Sequence, residues 1–274
     1  MSYELKSAGA LSGEPCRYGD SRLLVRGPQR SLAEPYVAFL GGTEVYGRFV
    51  EFPFVDSLQG RLGVDCINLG SVNAGLDSFA QDETLTGIAR GAQVSVLQML
   101  GAQNISNPYY RVHPRRNDRF LQAQPALKAL YPEVDFTEFH FNKHLLCTLR
   151  DISGQRFEQV REQLQRSWIE RMSALIEALG GRVLLLWLRY HLEADSGFPD
   201  EPVLVDRAMA DALRPKVQGI LEFRAESAAA ARDIAGMVFG QMELPAARHM
   251  IGPKEHLRIA DALAGCLEPM LPRK

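Results

Sequence analysis

Short apolar runs, each bounded by turn residues, recur along the chain and alternate with helix-like stretches. A run of this kind is typical of a strand that is buried on both faces. The runs lie at residues 37–40, 65–69, 94–100, 183–188 and 219–223. All but the last open into a polar or small-residue turn, as strands do in a parallel sheet with helical crossovers. The pattern predicts an α/β fold, a three-layer sandwich around a mainly parallel five-stranded sheet.

Apolar positions with a period of 3.6 residues predict the helices between these strands. The clearest period runs from Phe157 through Trp168 to Leu179 and ends at Gly180-Gly181. Further helices are predicted at residues 53–62, 78–91, 119–131, 136–149, 206–213, 226–242 and 254–267.

Two segments depart from this alternation. Residues 1–34 are polar and rich in turn residues, which predicts an irregular N-terminal lead-in. Residues 104–150 begin with a loop rich in proline, tyrosine and arginine, and they predict an insertion that covers the rim of the sheet. No interdomain linker is apparent, so the whole chain, 1–274, is predicted to form one domain.

Composition narrows the function classes. The chain has 46% hydrophobic and 23% charged residues, as soluble globular proteins do. Its net charge of −2 argues against a nucleic-acid partner. The longest apolar run, 183–188, is too short to span a membrane, and the N-terminus lacks the apolar core of a signal peptide. Four widely spaced cysteines suit a reducing compartment, so a cytoplasmic protein is expected, and a homo-oligomer remains possible.

Polar residues follow the predicted strands at the edge where a ligand site is expected. The carboxyl ends of parallel strands meet at one crevice. The candidates there are Gly42, Thr43, Glu44, Asn73, Gly75, Gln103, Asn104, Arg189 and His191, and His249 in a late loop could reach the same rim. A hydroxyl, a histidine, an amide and backbone N–H groups are what acyl transfer needs as nucleophile, base and oxyanion donors.

A basic group in the predicted insertion suggests an anionic ligand. Arg115 and Arg116 lie between His113 and Arg119. Paired guanidinium groups suit a carboxylate, phosphate or sulfate, so both arginines are candidate ligand contacts. The alternative is that they form salt bridges that hold the insertion to its own domain.

Neither a cofactor nor a metal is expected. The chain has no GxGxxG or GxxxxGK[ST] signature for a nucleotide. His140 and His144 have the i, i+4 spacing of metal ligands, but the residues between them supply no base and no third ligand is evident.

The order of these pieces resembles the SGNH (GDSL-like) hydrolases. The first block of that family, Gly-Asp-Ser, would fall on residues 41–43, and the glycine of the second block near Gly70 or Gly75. The third block, Gly-x-Asn-Asp, would fall on residues 101–104, and the last, Asp-x-x-His, on residues 246–249. The run FLGGTE-YG is also similar to one in uncharacterised alphaproteobacterial proteins.

The resemblance implies an SGNH/flavodoxin-like sheet with Thr43 as nucleophile, His249 as base, and Gly75 and Gln103 as oxyanion donors. The chain departs from the family at its diagnostic polar positions: Thr43 replaces serine, Gln103 replaces asparagine and Ala246 replaces the triad aspartate. Glu44 or Asp195 could supply the missing acid.

Three functions remain open at this point. The first is a divergent SGNH-like hydrolase or acyl/sulfuryl-type transferase that acts on a small or medium anionic ester. The second is a non-catalytic protein that binds an anionic ligand in the same crevice, and the third is a structural or assembly protein with a vestigial pocket. Under the last two, Thr43 caps the segment that follows it and His249 is a surface or packing residue.

Overall fold

The computed structural model describes residues 14–192 and 197–272. Five parallel strands form its central sheet. In chain order the strands are β1 (Tyr36–Leu40), β2 (Asp65–Asn68), β3 (Val94–Gln98), β4 (Tyr110–Val112), β5 (Phe120–Ala123), β6 (Val183–His191), β7 (Asp200–Glu201) and β8 (Gly219–Arg224). The parallel order across the sheet is β2-β1-β3-β6-β8, and β7 pairs antiparallel with the end of β6. The prediction of five parallel neighbouring strands is confirmed.

Helices connect the strands and cover the sheet. They are α1 (Thr43–Tyr46), α2 (Phe54–Leu62), α3 (Leu76–Ala80), α4 (Glu83–Gly91), α5 (Pro125–Leu130), α6 (Asn142–Ile152), α7 (Gly154–Ala178), α8 (Arg207–Leu213), α9 (Leu244–His249) and α10 (Pro253–Leu267). Short 3₁₀ turns lie at Ala102–Asn104, Phe136–Glu138, Arg214–Lys216, Gln241–Glu243 and Glu268–Met270. None of the helices in the described ranges has the length and apolar character needed to cross a lipid bilayer.

The two faces of the sheet contribute to separate cores, because successive side chains of a strand point to opposite faces. Ala38 and Leu40 of β1 belong to a core that includes Trp168 of α7. Val37 and Phe39 of the same strand belong to a core built with α2 and α10. The architecture is therefore a helix layer, a sheet and a second helix layer.

Residues 104–150 carry a smaller core of their own. β4 and β5 form an antiparallel hairpin, and its buried Tyr110 and Phe120 cluster with Leu146 of α6. Phe157 and Leu164, in the N-terminal half of α7, belong to the same cluster. One end of α7 thus packs on this segment while its other end packs on the sheet.

Two predicted helices are wrong. Residues 119–131 form strand β5 followed by α5, since Phe120–Ala123 pairs with β4 and Pro125 occupies the first turn of the helix. Residues 226–242 form turns in place of the alanine-rich helix, and Gly236 has a left-handed φ of 91°. In that segment Asp233 Oδ2 accepts the Lys254 N–H at 2.6 Å, a contact with the start of α10. Such tertiary bonding outweighs the helix propensity of alanine.

The other predicted helices differ mainly at their ends. The predicted helix at 136–149 begins at Asn142, because a 3₁₀ turn occupies Phe136–Glu138. The predicted helix at 78–91 is divided into α3 and α4, and Asp82 caps α4 by accepting the Leu85 N–H. His140 consequently precedes α6 while His144 lies within it, so the two histidines do not share a helical face.

Candidate functional site

A pocket of about 190 Å³ opens at the carboxyl ends of β1, β3 and β6. The chain passes from β1 to β2 on one side, and the connection that follows β2 crosses back to β3 on the other side of β1. Ligands of α/β proteins bind at such a reversal of strand order. The lining residues are Gly42, Thr43, Glu44, Asn73, Ala74, Gln98, Leu100, Gly101, Gln103, Asn104, Asp118, Leu188, Tyr190, Leu192, Glu201, Pro202, His249 and Met250.

The turn after β1 brings Thr43 to the pocket. Gly41 precedes it in a space where a Cβ atom would lie 2.3 Å from Val45 Cγ2 and 2.5 Å from Gln98 Oε1, so only glycine fits. Thr43 is the first residue of α1, and its Oγ1 accepts the backbone N–H of Asn73 at 3.2 Å. Asn73 has a φ of 59°, a left-handed conformation that asparagine adopts more readily than most residues.

The Glu44 carboxylate is held by two neighbouring strands. Tyr190 of β6 donates its hydroxyl to Glu44 Oε1 at 2.6 Å, and Gln98 of β3 donates Nε2 to Oε2 at 3.0 Å. The Oε1 of Gln98 also accepts the Gly42 N–H at 2.9 Å, so one amide fixes both ends of the turn. Burial, and secondly the charge of Glu44, raise the pKa of Tyr190 well above its usual value, so the hydroxyl stays protonated as a donor.

The turn after β3 supplies two amides. Gln103 is only 7% exposed, and its buried Oε1 has no hydrogen-bond partner among the described residues. Asn104 Oδ1 accepts from Asn142 Nδ2 at 3.0 Å, which ties this turn to α6.

Two further carboxylates line the pocket. Burial raises the pKa of Glu201 to about 7, the Glu44 charge adds to the rise, and Lys143, with Nζ 3.4 Å from Oε1, opposes it. Burial also raises the pKa of Asp118, although Arg116 Nε lies 4.0 Å from its Oδ1. That oxygen is buried and accepts no hydrogen bond from the described part of the chain.

His249 reaches the pocket from the last position of α9. Its side chain is exposed, and within the described ranges its ring forms neither a hydrogen bond nor an ion pair with a carboxylate. Ala246, which the SGNH resemblance would align with a triad aspartate, packs against a small apolar cluster around Phe49. Asp195 lies outside the described residues.

Five of the predicted site residues do not line the pocket. Gly75 directs its N–H to Asn117 Oδ1 at 2.9 Å, so this donor is already used. Arg115 and Arg116 are exposed, and their backbone N–H groups donate to His113 Nδ1. The basic group of the insertion therefore contributes no lining side chain.

Arg189 and His191 lie on the opposite face of β6 from the pocket. Leu188 and Tyr190 line the pocket, and the alternation of side chains along a strand turns the residues between and after them away. Arg189 donates to Glu222 Oε1 at 2.8 Å, while His191 Nδ1 lies 3.0 Å from Asp200 Oδ1.

Sequence reasoning missed Gln98, Asp118, Tyr190 and Glu201. Strand alternation could have identified Tyr190, since it follows the buried Leu186 and Leu188 at a spacing of two. Gln98, a polar residue at the end of the apolar strand β3, was a second available signal. Asp118 reaches the pocket from the loop that joins β4 to β5, and Glu201 from the two-residue strand β7. Neither segment is long enough or regular enough to show a periodic pattern.

Comparison with known families matches residues 1–271 to a model described as "Domain of unknown function (DUF6473)". The chain belongs to this family. The match covers every residue that lines the pocket of this DUF6473 chain. A search of curated proteins finds no match. In residues 14–192 and 197–272, no group of three or more histidine, cysteine or acidic side chains is arranged to hold a metal ion.

Proposed function

We propose that the pocket is an acyl-transfer site of the SGNH type, a hydrolase or an acyl/sulfuryl-type transferase. Its supporting features are the strand order and the position of Thr43 after the glycine pair that ends β1. The observation that carries the proposal is the hydrogen bond from Asn73 N–H to Thr43 Oγ1 in a pocket that Gln103 and His249 also line. A held nucleophile, an amide that can donate to an oxyanion and a base therefore line one cavity.

In this proposal Thr43 Oγ1 attacks the carbonyl carbon of an ester and gives its proton to His249. The oxyanion accepts a hydrogen bond from Gln103 Nε2, the donor in place of Gly75, while the Asn73 N–H, which donates to Thr43 Oγ1, orients the nucleophile. The carbon–oxygen bond to the alcohol breaks, and His249 returns the proton to the departing oxygen. Water, or a second alcohol in a transferase, then attacks the acyl group and releases Thr43.

Slow turnover is expected from two features of the site. The β-branch of Thr43 restricts its rotamers and crowds the path of attack. No carboxylate in the described part of the chain fixes the tautomer of His249, a role that the acid performs in a Ser-His-Asp triad.

The test is covalent labelling combined with kinetics. A fluorophosphonate should modify the protein at Thr43, as read by peptide mass spectrometry, and Thr43→Ala should abolish labelling and ester hydrolysis. The variant should retain its fold, because a turn hydroxyl contributes only about 1 kcal/mol. Thr43→Ser should match or exceed the native rate. Thr148→Ala, which removes a hydroxyl bonded within α6, is the matched control and should leave labelling unchanged.

The histidine is tested in the same assay. His249→Ala should reduce turnover without adding to the effect of Thr43→Ala, as members of one catalytic unit do. His140→Ala, at an exposed position outside the pocket, serves as its control. Ala246→Asp should raise the rate if residue 246 can orient the ring. Hydrolysis that survives Thr43→Ala would disprove this mechanism.

A second candidate is a non-catalytic binding protein that uses the same pocket. The absence of a carboxylate partner for His249 in the described ranges favours it. Tight binding of a small ester by both the native protein and Thr43→Ala, without turnover in either, would establish this alternative.

A further inference from the structure

The charged side chains of the pocket share one sign. Glu44, Asp118 and Glu201 line it, and no lysine or arginine of the described chain does. The three carboxylates come from different parts of the fold: α1, the loop that joins β4 to β5, and β7. Three carboxylates in one pocket would repel the anionic ligand that the arginines of the insertion suggested.

Basic residues approach two of these carboxylates from outside the lining. Lys143 Nζ lies 3.4 Å from Glu201, and Arg116 Nε lies 4.0 Å from Asp118. Both basic side chains remain partly solvent-exposed, so water screens part of their charge. Glu44 is held by the neutral donors Tyr190 and Gln98, which leave its negative charge in place.

Two buried polar atoms of the pocket residues receive no hydrogen bond from the described residues, and both are acceptors. They are Oδ1 of Asp118 and Oε1 of Gln103, whose side chain is more than nine-tenths buried. A carboxylate or amide oxygen accepts hydrogen bonds and cannot donate them. A buried acceptor without a donor destabilises the fold, so a bound group rich in N–H donors would relieve both positions.

We propose that the pocket binds a small ligand that carries an ammonium or guanidinium group, held by Asp118 and Glu201 with Gln103 as a neutral acceptor. Such a cation brings donors only and matches the charge of the lining. The volume of about 190 Å³ is comparable to that of cavities that hold one small organic molecule. The cationic group of the ligand is inferred from the pocket alone, whereas its ester group rests on the proposed acyl-transfer function.

Three esters of similar length separate the effect of charge from that of shape. β-Alanine ethyl ester is cationic, ethyl butyrate is neutral and monoethyl succinate is anionic. Binding is measured by NMR titration of the full chain at about pH 8, which is above the pKa of about 7 of Glu201 and leaves the amine protonated. Hydrolysis of each ester is followed separately. β-Alanine ethyl ester should bind about tenfold more tightly than ethyl butyrate, with monoethyl succinate weakest.

Variants of the pocket carboxylates test whether the pocket causes the preference for the cationic ester. Glu201→Gln and Asp118→Asn keep the side-chain shape and should each remove most of the advantage of the cationic ester. Glu162→Gln, an exposed carboxylate on α7 outside the pocket, should retain it. The advantage should also shrink in high salt, a measurement on the native protein that does not depend on any variant folding.

The outcomes distinguish this inference from the acyl-transfer proposal. A preference for the cationic ester without hydrolysis would support the cation site and count against acyl transfer. Hydrolysis with equal affinities, or with a preference for monoethyl succinate, would overturn the cation site and leave acyl transfer standing. Failure of β-alanine ethyl ester to bind at about 10 mM would also overturn it.

Discussion

His256 is buried in the core, where its ring stacks on Phe54 with the ring centroids 5.6 Å apart. Its Nδ1 accepts the Phe54 N–H at 3.1 Å, which satisfies a backbone donor in the first turn of α2. Burial, and secondly the charge of Arg26, lower the pKa of His256 from 6.5 to about 3. The ring is therefore neutral in the folded protein and acts as an acceptor.

This histidine should make the fold sensitive to acid. Between pH 6.5 and about 3 the unfolded chain binds a proton at His256 that the folded chain does not bind. The free energy of unfolding therefore falls as the pH is lowered through that window, by up to a few kcal/mol. His256→Gln, which keeps an acceptor, should flatten the dependence, measured by urea denaturation at a series of pH values. An unchanged slope would disprove the assignment, and His140→Gln is the exposed control.

Glu201 should act in the opposite direction. Its pKa rises from 4.5 in the unfolded chain to about 7 in the fold, so the folded protein holds a proton that the unfolded chain has released. The contribution of Glu201 to stability is fully present below pH 4.5 and is lost as the pH rises through about 7. Glu201→Gln should raise the free energy of unfolding at about pH 8 by roughly 1–3 kcal/mol. Destabilisation by this variant at that pH would contradict the prediction, and Glu162→Gln should have little effect.

At the scale of an element, the turn between β1 and α1 depends on Gly41. A Cβ at this position would contact Val45 and Gln98 at distances that real Cβ atoms do not show. Gln98 would have to move, and it is the residue that holds both Gly42 and Glu44. Gly41→Ala should therefore destabilise the protein by about 2–4 kcal/mol and weaken ligand binding at the pocket.

Gly60 offers a matched control within α2. A Cβ there would meet no atom within 4 Å, and the residue lies in the interior of the helix. Gly60→Ala should stabilise the protein by about 0.5–1 kcal/mol, because alanine is the better helix former. Thermal or urea unfolding of the two variants measures the contrast. Equal effects at the two positions would refute the role given to the turn.

At the scale of the whole molecule, α7 joins the core of residues 104–150 to that of the sheet. Leu164 belongs to the first core, whereas Trp168, one turn later, belongs to the second. Helical stiffness should couple the two cores, so that the chain unfolds in one transition, as the prediction of a single domain requires.

The coupling between the two cores can be measured by destabilising the smaller one. Leu146→Ala removes a fully buried side chain and should cost about 2–5 kcal/mol. Both tryptophans, Trp168 and Trp187, lie in the core next to the sheet, so their fluorescence reports on that core. The loss of stability measured by tryptophan fluorescence should equal the loss measured by far-ultraviolet circular dichroism. Leu121→Ala, at a position 54% exposed on β5, should have little effect. Two separate transitions would show that the insertion unfolds independently.

The sequence determined the sheet and the place of the site. Parallel strands that are buried on both faces must be apolar on both, so a continuous apolar run such as 183–188 indicates a central strand of the sheet. A glycine pair followed by Thr43 marked the end of β1, and Gly42, Thr43, Glu44, Asn73, Gln103, Asn104 and His249 all line the pocket that forms there.

The tertiary structure decided which side chains complete the pocket and what charge it carries. Strand alternation points Tyr190, and not Arg189 or His191, into the pocket. The loop between β4 and β5 brings in Asp118 and the short strand β7 brings in Glu201, while Arg115 and Arg116 remain outside. Residues 226–242 follow turns because their polar groups bond to neighbours distant in sequence, such as the start of α10. Such contacts leave no local period in the chain, since they depend on how separate elements meet in space.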